Sequence, residues 1–159
     1  MNLDTGIQIL YQKYKSNIKY NTSLILSEIV APFGAAAGAY ILNRLDLNNY
    51  LSSSIGGLIG NYISAVVTFG TAWYVLNRGS YSNKTIKFFK EFGEMTAKNL
   101  VPAAISYLLY GPISIGLTYE GFKPTEAAFY ASILSAAIFI LGSNIINQRV
   151  IKLHRRRNF

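Results

Sequence analysis

Glu28 is the only acidic residue that lies more than one helical turn inside the four long apolar runs of this 159-residue sequence. An ionisable side chain within hydrocarbon is costly and usually serves to handle ions or substrates. We therefore take Glu28 as the candidate proton-linked group. A structural alternative stays open, because Glu28 lies only about 8 Å along a helix from the end of its run. From there its carboxylate can reach the membrane interface or pair with Lys98 or Arg78.

Polar side chains recur at steps of three and four residues in the second and third runs. Such steps keep side chains on one side of an α-helix. Hydroxyl and amide groups supply both donors and acceptors, so these rows are candidates to line a path for a small zwitterionic solute. They serve equally well as interhelical hydrogen bonds in a packed bundle, and the sequence leaves both interpretations open. The candidates for lining a path are Asn61, Ser64, Thr68, Tyr107, Tyr110 and Ser114.

Prolines and glycines within the runs predict hinges and close helix contacts. Pro32 and Pro112 are the predicted hinges, because proline lacks the N–H that would bond the carbonyl four residues earlier. Glycines spaced four apart let a second helix approach closely. The predicted packing glycines are Gly34 and Gly38 in the first run and Gly56 and Gly60 in the second.

Four apolar runs must position these residues, and each is long enough to cross a bilayer about 30 Å thick as a helix. Charged residues make up only 14% of the chain, against about 25% in an average soluble protein. We expect an all-α integral membrane protein with one domain over 1–159, built as two tandem hairpins. The predicted spanning helices are about 23–42, 53–76, 99–118 and 125–147. A basic amphipathic surface helix precedes each hairpin, at about 3–20 and 84–97.

The basic residues fall on one side of the predicted membrane. Only Arg44 and Lys123 lie in the two loops within the hairpins, so thirteen of the fifteen Lys and Arg residues share the other side. By the positive-inside rule, this places both termini in the cytoplasm of a protein of the cell membrane. Topology and anionic lipid headgroups account for the net charge of +8, and nucleic acid is not needed as a partner.

Several kinds of chemistry have no support in the sequence. There is no cysteine, which excludes disulfides, thiol nucleophiles and thiolate metal sites. The single histidine, His154, lies in a basic tail without a nearby set of metal ligands. No Gly-rich phosphate loop is present, and no nucleophile has a nearby base. We therefore expect neither an enzyme nor a bound metal or cofactor.

The two halves of the chain are similar at an offset of 71 residues. At this offset residues 63–67 lie over 134–138, and Arg78 lies over Arg149. Chance similarity between apolar segments is common, so a true repeat and coincidence both stay open. A true repeat would be a parallel one, because two crossings restore the orientation.

The second half resembles the AlaE-type L-alanine exporter family. The resemblance runs without gaps from Lys98-Asn99-Leu100 through Pro112 to the closing basic cluster. In the first half it rests on Asn61 and on Phe69-Gly70. This resemblance implies export of alanine, or of a similar small amino acid, driven by the proton gradient.

Two further families share parts of the pattern. GtrA-like proteins, linked to moving polyprenyl-phosphate sugars, resemble the chain at Leu76-Asn77-Arg78 and Asn147-Gln148-Arg149. Small multidrug transporters are similar over 25–29, but they are shorter and lack so charged a middle connector.

Two functions from different classes follow from these patterns. The first is a small exporter of an amino acid or similar solute, in which Glu28 is proton-linked. A bundle this small encloses little space, so we expect a homodimer, which Gly34 and Gly38 would serve. The second is a non-transporting accessory or structural subunit, whose glycine faces dock a larger membrane partner.

Overall fold

The chain folds entirely into helices over the part that the structure describes. This structure is a computed structural model that describes the backbone of residues 3–81 and 85–157, and the side chains of residues 15, 17–81 and 85–145. Within those ranges there is no strand. The helices are α1 (Leu3–Arg44), α2 (Asn49–Leu51), α3 (Gly57–Tyr81), α4 (Thr85–Lys98), α5 (Leu100–Tyr119) and α6 (Pro124–Arg157). A π-helical turn, Ser52–Gly56, joins α2 to α3 without a break.

Four of the helical stretches are long and apolar enough to cross a membrane, as the sequence predicts. They are Asn17–Arg44, Asn49–Tyr81, Leu100–Tyr119 and Pro124–Ile145. Large apolar side chains cover the outside of the bundle: Leu108 is 75% exposed, and Phe33 and Val67 are also exposed. A surface this apolar matches hydrocarbon better than water.

The first span continues a longer helix. α1 runs for 42 residues from Leu3 without interruption, so the predicted surface segment 3–20 is helical and continuous with the span. The structure does not describe the side chains of α1 before residue 15 or those of the basic tail, including that of His154. The predicted segment 84–97 corresponds to the separate helix α4. That either segment lies on the membrane surface stays a prediction.

Glycines allow α1 and α3 to pack backbone against backbone. A Cβ built on Gly34 or Gly60 would overlap the carbonyl oxygen of the other, and Gly38 and Gly56 face each other in the same way. One turn further along α3, the Ser64 hydroxyl lies 3.5 Å from the carbonyl of Ala31. Small residues make this close crossing possible.

α1 packs between α3 and α6. α1 packs along α6 on its other side, and α5 packs against α6. In contrast, α3 and α5 contact each other little, and α5 instead meets the π-helical turn. A space is therefore left between α3 and α5.

An aromatic cluster packs α4 against α3 at one end of this space. We call the end of the bundle that carries Arg78 and α4 the basic end, and the end with residues 45–48 and 120–123 the loop end. At the basic end Phe92 of α4 packs on Phe69 of α3, with ring centroids 6.2 Å apart. Nearby, the indole N–H of Trp73 donates to the Tyr81 hydroxyl at 2.7 Å, and that hydroxyl donates to Glu91.

Candidate functional site

A cavity of about 80 Å³ lies between α1, α3 and α5, towards the basic end. Its lining is mostly apolar and aromatic, including Phe69, Phe92 and Phe139. We call it the Glu28 cavity. The polar side chains that line it are Ser27, Glu28, Tyr62, Thr96, Asn99 and Tyr107.

Glu28 reaches this cavity from α1 without an ionic partner. Lys87–Glu91 is the one salt bridge between described residues, so neither Lys98 nor Arg78 pairs with Glu28. The pairing with Lys98 or Arg78 is therefore not made, whereas the other structural alternative, a carboxyl group that reaches the membrane interface, stays open. An ionisable group inside a span and without a counter-ion is the kind that membrane proteins retain for function.

Two tyrosines stand beside Glu28. Tyr107 of α5 and Tyr62 of α3 line the cavity together with Glu28. The Tyr62 and Tyr107 rings meet edge to face, with centroids 6.0 Å apart and planes at 76°. The two phenol rings thus bridge the space between α3 and α5 at the cavity that Glu28 also lines.

The backbone beside Glu28 lacks one helical hydrogen bond. Pro32 lies inside α1 and has no N–H, so the Glu28 carbonyl lacks its usual helical partner. Pro112 has the same effect on the Leu108 carbonyl in α5. Both helices continue through their prolines, and a hinge role for either stays a prediction.

Tyr20 and Asn99 form a hydrogen-bonded pair at the basic end of the cavity. The Tyr20 hydroxyl donates to the Asn99 side-chain carbonyl at 2.9 Å, and the Asn99 amide nitrogen lies 2.7 Å from the same hydroxyl. That nitrogen also donates to the Met95 carbonyl at 3.0 Å. Asn99 is therefore occupied in holding α1, α4 and α5 together.

Tyr110 and Ser114 lie nearer the loop end, in a closed cluster rather than in the cavity. The Tyr110 hydroxyl is fully buried and donates towards the carbonyls of Ser53 at 3.2 Å and Ala128 at 3.3 Å. The Thr118 hydroxyl lies 2.9 Å from the Ser53 hydroxyl and donates to the Ser114 carbonyl at 2.8 Å. We call these residues the loop-end cluster. They join α5 and α6 to the π-helical turn and fill the space between α3 and α5 at this end.

Asn61 lies between the cavity and the loop-end cluster. A Cβ on Gly57 would stand 2.8 Å from the Cβ of Ala128, so α3 and α6 meet there. Both helices run from the loop end to the basic end. Asn61 follows Gly57 by one turn and Ser132 follows Ala128 by one turn, so the two residues lie at the same depth in the bundle. Both are buried, and the Ser132 hydroxyl has no partner among the described residues. A buried hydroxyl without a partner is a natural site for a water molecule.

Ser64 and Thr68 lie on the side of α3 that faces away from the Glu28 cavity. They line an open groove of about 540 Å³ over the crossing of α1 and α3, together with the four packing glycines. We call it the glycine groove. The Ser64 hydroxyl also donates back to its own helix, to the Gly60 carbonyl at 2.8 Å. The structure thus brings Glu28 and Tyr107 to one cavity, places Asn61 nearer the loop-end cluster, and places Ser64 and Thr68 in the glycine groove.

Two residues of the site did not emerge from the sequence. Tyr62 follows Asn61 directly and, at 46% exposed, resembles a lipid-facing aromatic residue. Ser53 lies in a run of three serines at the start of its helix, where hydroxyls often serve as caps. Both residues contact side chains of α5, and these contacts are evident only in the three-dimensional structure.

The arrangement combines one unpaired carboxyl group, two phenols and an apolar wall within a membrane-length bundle. The carboxyl group is able to bind a proton, and the cavity is able to hold a small polar solute. It has neither a nucleophile with a base nor a set of metal ligands. Comparison with known proteins gives no match, whether to family models, to curated proteins or to solved structures.

Proposed function

We propose that this chain is a small membrane transporter, a proton-linked exporter of a small polar solute such as L-alanine. The observation that carries the proposal is Glu28, a carboxyl group without a salt bridge that faces a cavity inside a span. A group of this kind would be expensive to keep if it served packing alone.

In the proposed cycle, the Glu28 carboxyl group holds either a proton or the solute. Tyr107 and Tyr62 stand beside it and would orient the solute through their hydroxyls. Because the wall is apolar, a proton or a solute charge in the cavity interacts strongly with the carboxyl group. Competition for one group is sufficient to couple the two movements.

The loop-end cluster would act as the closed gate of this conformation. Tyr110 and Thr118 bond to Ser53 and seal the space between α3 and α5 at the loop end. Transport requires this seal to open while the cavity closes at the basic end. Asn61 and Ser132 lie between the two and would offer polar groups to a proton or a water molecule on the way.

The membrane setting forms part of the same proposal. Lys87, Lys90 and Lys98 are exposed on α4 and suit the anionic headgroups of the cytoplasmic leaflet of a cell membrane. With α4 on that side, both termini are cytoplasmic. A homodimer stays part of the proposal, but Gly34 and Gly38 already face α3, so a second copy would contact the outer rim of the glycine groove.

The glycine groove favours one other function, a non-transporting subunit of a larger membrane complex. At about 540 Å³ the groove is larger than the Glu28 cavity, and it is open and apolar enough to receive another helix. A GtrA-like helper in the translocation of polyprenyl-phosphate-linked sugars belongs to this alternative. In this case Glu28 would have no solute to bind.

Reconstitution of the pure protein into vesicles tests the proposal. Efflux of a panel of small solutes is measured with and without a pH gradient. The transporter predicts solute efflux that the gradient accelerates. The absence of flux for any solute, with stable co-purification of a larger membrane enzyme, would favour the accessory subunit.

A further inference from the structure

When Glu28 is ionised, the Glu28 cavity carries one negative charge and no cationic side chain to balance it. None of the residues that line it is Lys, Arg or His, and all of them lie in the described part of the chain. Its other polar groups are hydroxyls and the Asn99 amide, which is already bonded to Tyr20 and Met95. A solute that enters the cavity therefore meets a carboxylate without a fixed cation.

A zwitterionic amino acid fits this charge pattern poorly. Its ammonium group would pair with Glu28, but its own carboxylate would be confined in the same small space. No cationic side chain lines the cavity to receive that second carboxylate. Burial of an unpaired charge is one of the costliest events in recognition, and two carboxylates close together repel each other.

The aromatic lining matches a cation instead. Tyr62 and Tyr107 stand beside Glu28 with their ring planes at 76°, so their faces point in different directions. Phe69, Phe92 and Phe139 complete the wall. Ring faces attract ammonium groups, most strongly where water is excluded, and aromatic cages are the usual binding sites for such ligands.

The size of the cavity restricts the cation further. A volume of about 80 Å³ corresponds to about three water molecules, at about 30 Å³ each. Small primary amines fit this volume, whereas a polycyclic dye or a lipid-linked sugar does not.

We propose that the Glu28 cavity binds a small organic ammonium ion, with Glu28 as the counter-ion and Tyr62 and Tyr107 as the aromatic wall. This inference rests on the proposed function only for the claim that the bound amine is also transported. Within the class of small polar solutes, it selects a monocationic amine in place of L-alanine.

Three solutes of nearly the same shape separate the charge classes. L-Alaninamide carries the ammonium group but no carboxylate, L-alanine carries both, and propionamide carries neither. Binding of each to the purified full chain is measured by calorimetry in detergent. L-Alaninamide is expected to bind and propionamide is not. Binding of L-alanine as tight as that of L-alaninamide would overturn the inference.

Matched variants assign the binding to the cavity. Glu28→Gln keeps the shape of the side chain and should weaken L-alaninamide binding about 10- to 100-fold, whereas Glu120→Gln in an exposed loop should not. Tyr107→Leu removes a ring of the wall and should weaken binding about 5- to 10-fold, and Tyr107→Phe should weaken it less. The exposed Tyr119→Leu serves as the control. Equal affinity of wild type and Glu28→Gln, with both correctly folded, would contradict the assignment.

Flux measurements distinguish this inference from the proposed function. Binding of L-alaninamide without its movement across vesicles would support the cation site and contradict transport. Movement of L-alanine without that of L-alaninamide would support transport and overturn the cation site. If L-alaninamide neither binds nor moves, the inference fails regardless of what else the protein carries.

Discussion

Gly34 and Gly60 face each other where α1 crosses α3, each so close to the other's carbonyl oxygen that neither position has room for a Cβ. The contact is between backbones, which cannot rotate aside as a side chain does. The positions of Glu28 on α1 and Tyr62 on α3 follow from this crossing, because both lie within two turns of it. The packing of α1 against α3 therefore also sets the geometry of the candidate site.

Gly60→Ala should destabilise the protein. The added methyl group forces α1 and α3 apart, at a cost of about 1–3 kcal/mol that exceeds the gain of about 0.5–1 kcal/mol from removing a helical glycine. Gly116→Ala is the matched control, since nothing lies within 4 Å of a Cβ at Gly116 in α5. Thermal unfolding in detergent should show a lower Tm for the first variant only. Equal shifts for both would mean that the crossing is looser than described.

Tyr110→Phe should weaken the loop-end gate. It deletes the hydroxyl that donates towards the Ser53 and Ala128 carbonyls and leaves the ring in place. Interhelical hydrogen bonds in membranes contribute about 0.6 kcal/mol on average, so the fold should persist while the gate opens more often. We expect faster proton leak in vesicles without solute. The exposed Tyr119→Phe is the control, and identical leak rates would show that the cluster is not a gate.

Tyr81→Phe should loosen α4 from α3. The Tyr81 hydroxyl accepts from the Trp73 indole and donates to Glu91, so its removal leaves the buried indole N–H without a partner at a cost of about 1–3 kcal/mol. Trp73 is the single tryptophan, and its fluorescence therefore reports on this contact. The emission should shift and Tm should fall. Tyr74→Phe, on the neighbouring ring stacked against Tyr81, should change neither.

Single-cysteine variants test the orientation in the membrane, because the natural chain has no cysteine. Gly79→Cys and Gly93→Cys lie at the basic end and should be shielded from a charged maleimide added to intact cells. Arg44→Cys and Glu120→Cys lie at the loop end and should react. Labelling of Gly79→Cys alongside Arg44→Cys would place basic and loop ends in one compartment and contradict the proposed topology.

The four spans could be predicted because a bilayer requires about 20 apolar residues in each crossing helix, and only four runs satisfy this. The third run, expected at about 99–118, is observed as Leu100–Tyr119. The start of the first helix could not be predicted in the same way. A helix does not have to end where its hydrophobicity ends, and α1 continues back through polar residues such as Lys19 and Asn21.

The candidate site was only partly visible in the sequence. Glu28 could be identified because a carboxyl group inside an apolar run is unusual, whichever residues surround it in the structure. The row on α3 could not be resolved, because helical periodicity defines a face but not the helix that faces it. Asn61 lies at the edge towards α6, whereas Ser64 lies at the edge towards α1, and the two belong to different surroundings. Tyr62 became part of the site only through its contact with Tyr107.

Solute-dependent proton movement tests the central claim, that Glu28 couples a proton to a solute in this cavity. Vesicles that hold the pure protein and a pH-sensitive dye receive solute on one side, and the change in internal pH is recorded. Wild type and Glu120→Gln should move protons only when solute is added, and Glu28→Gln should lose this response. A response of Glu28→Gln equal to that of the wild type would contradict the account, because the proton would then travel without the carboxyl group.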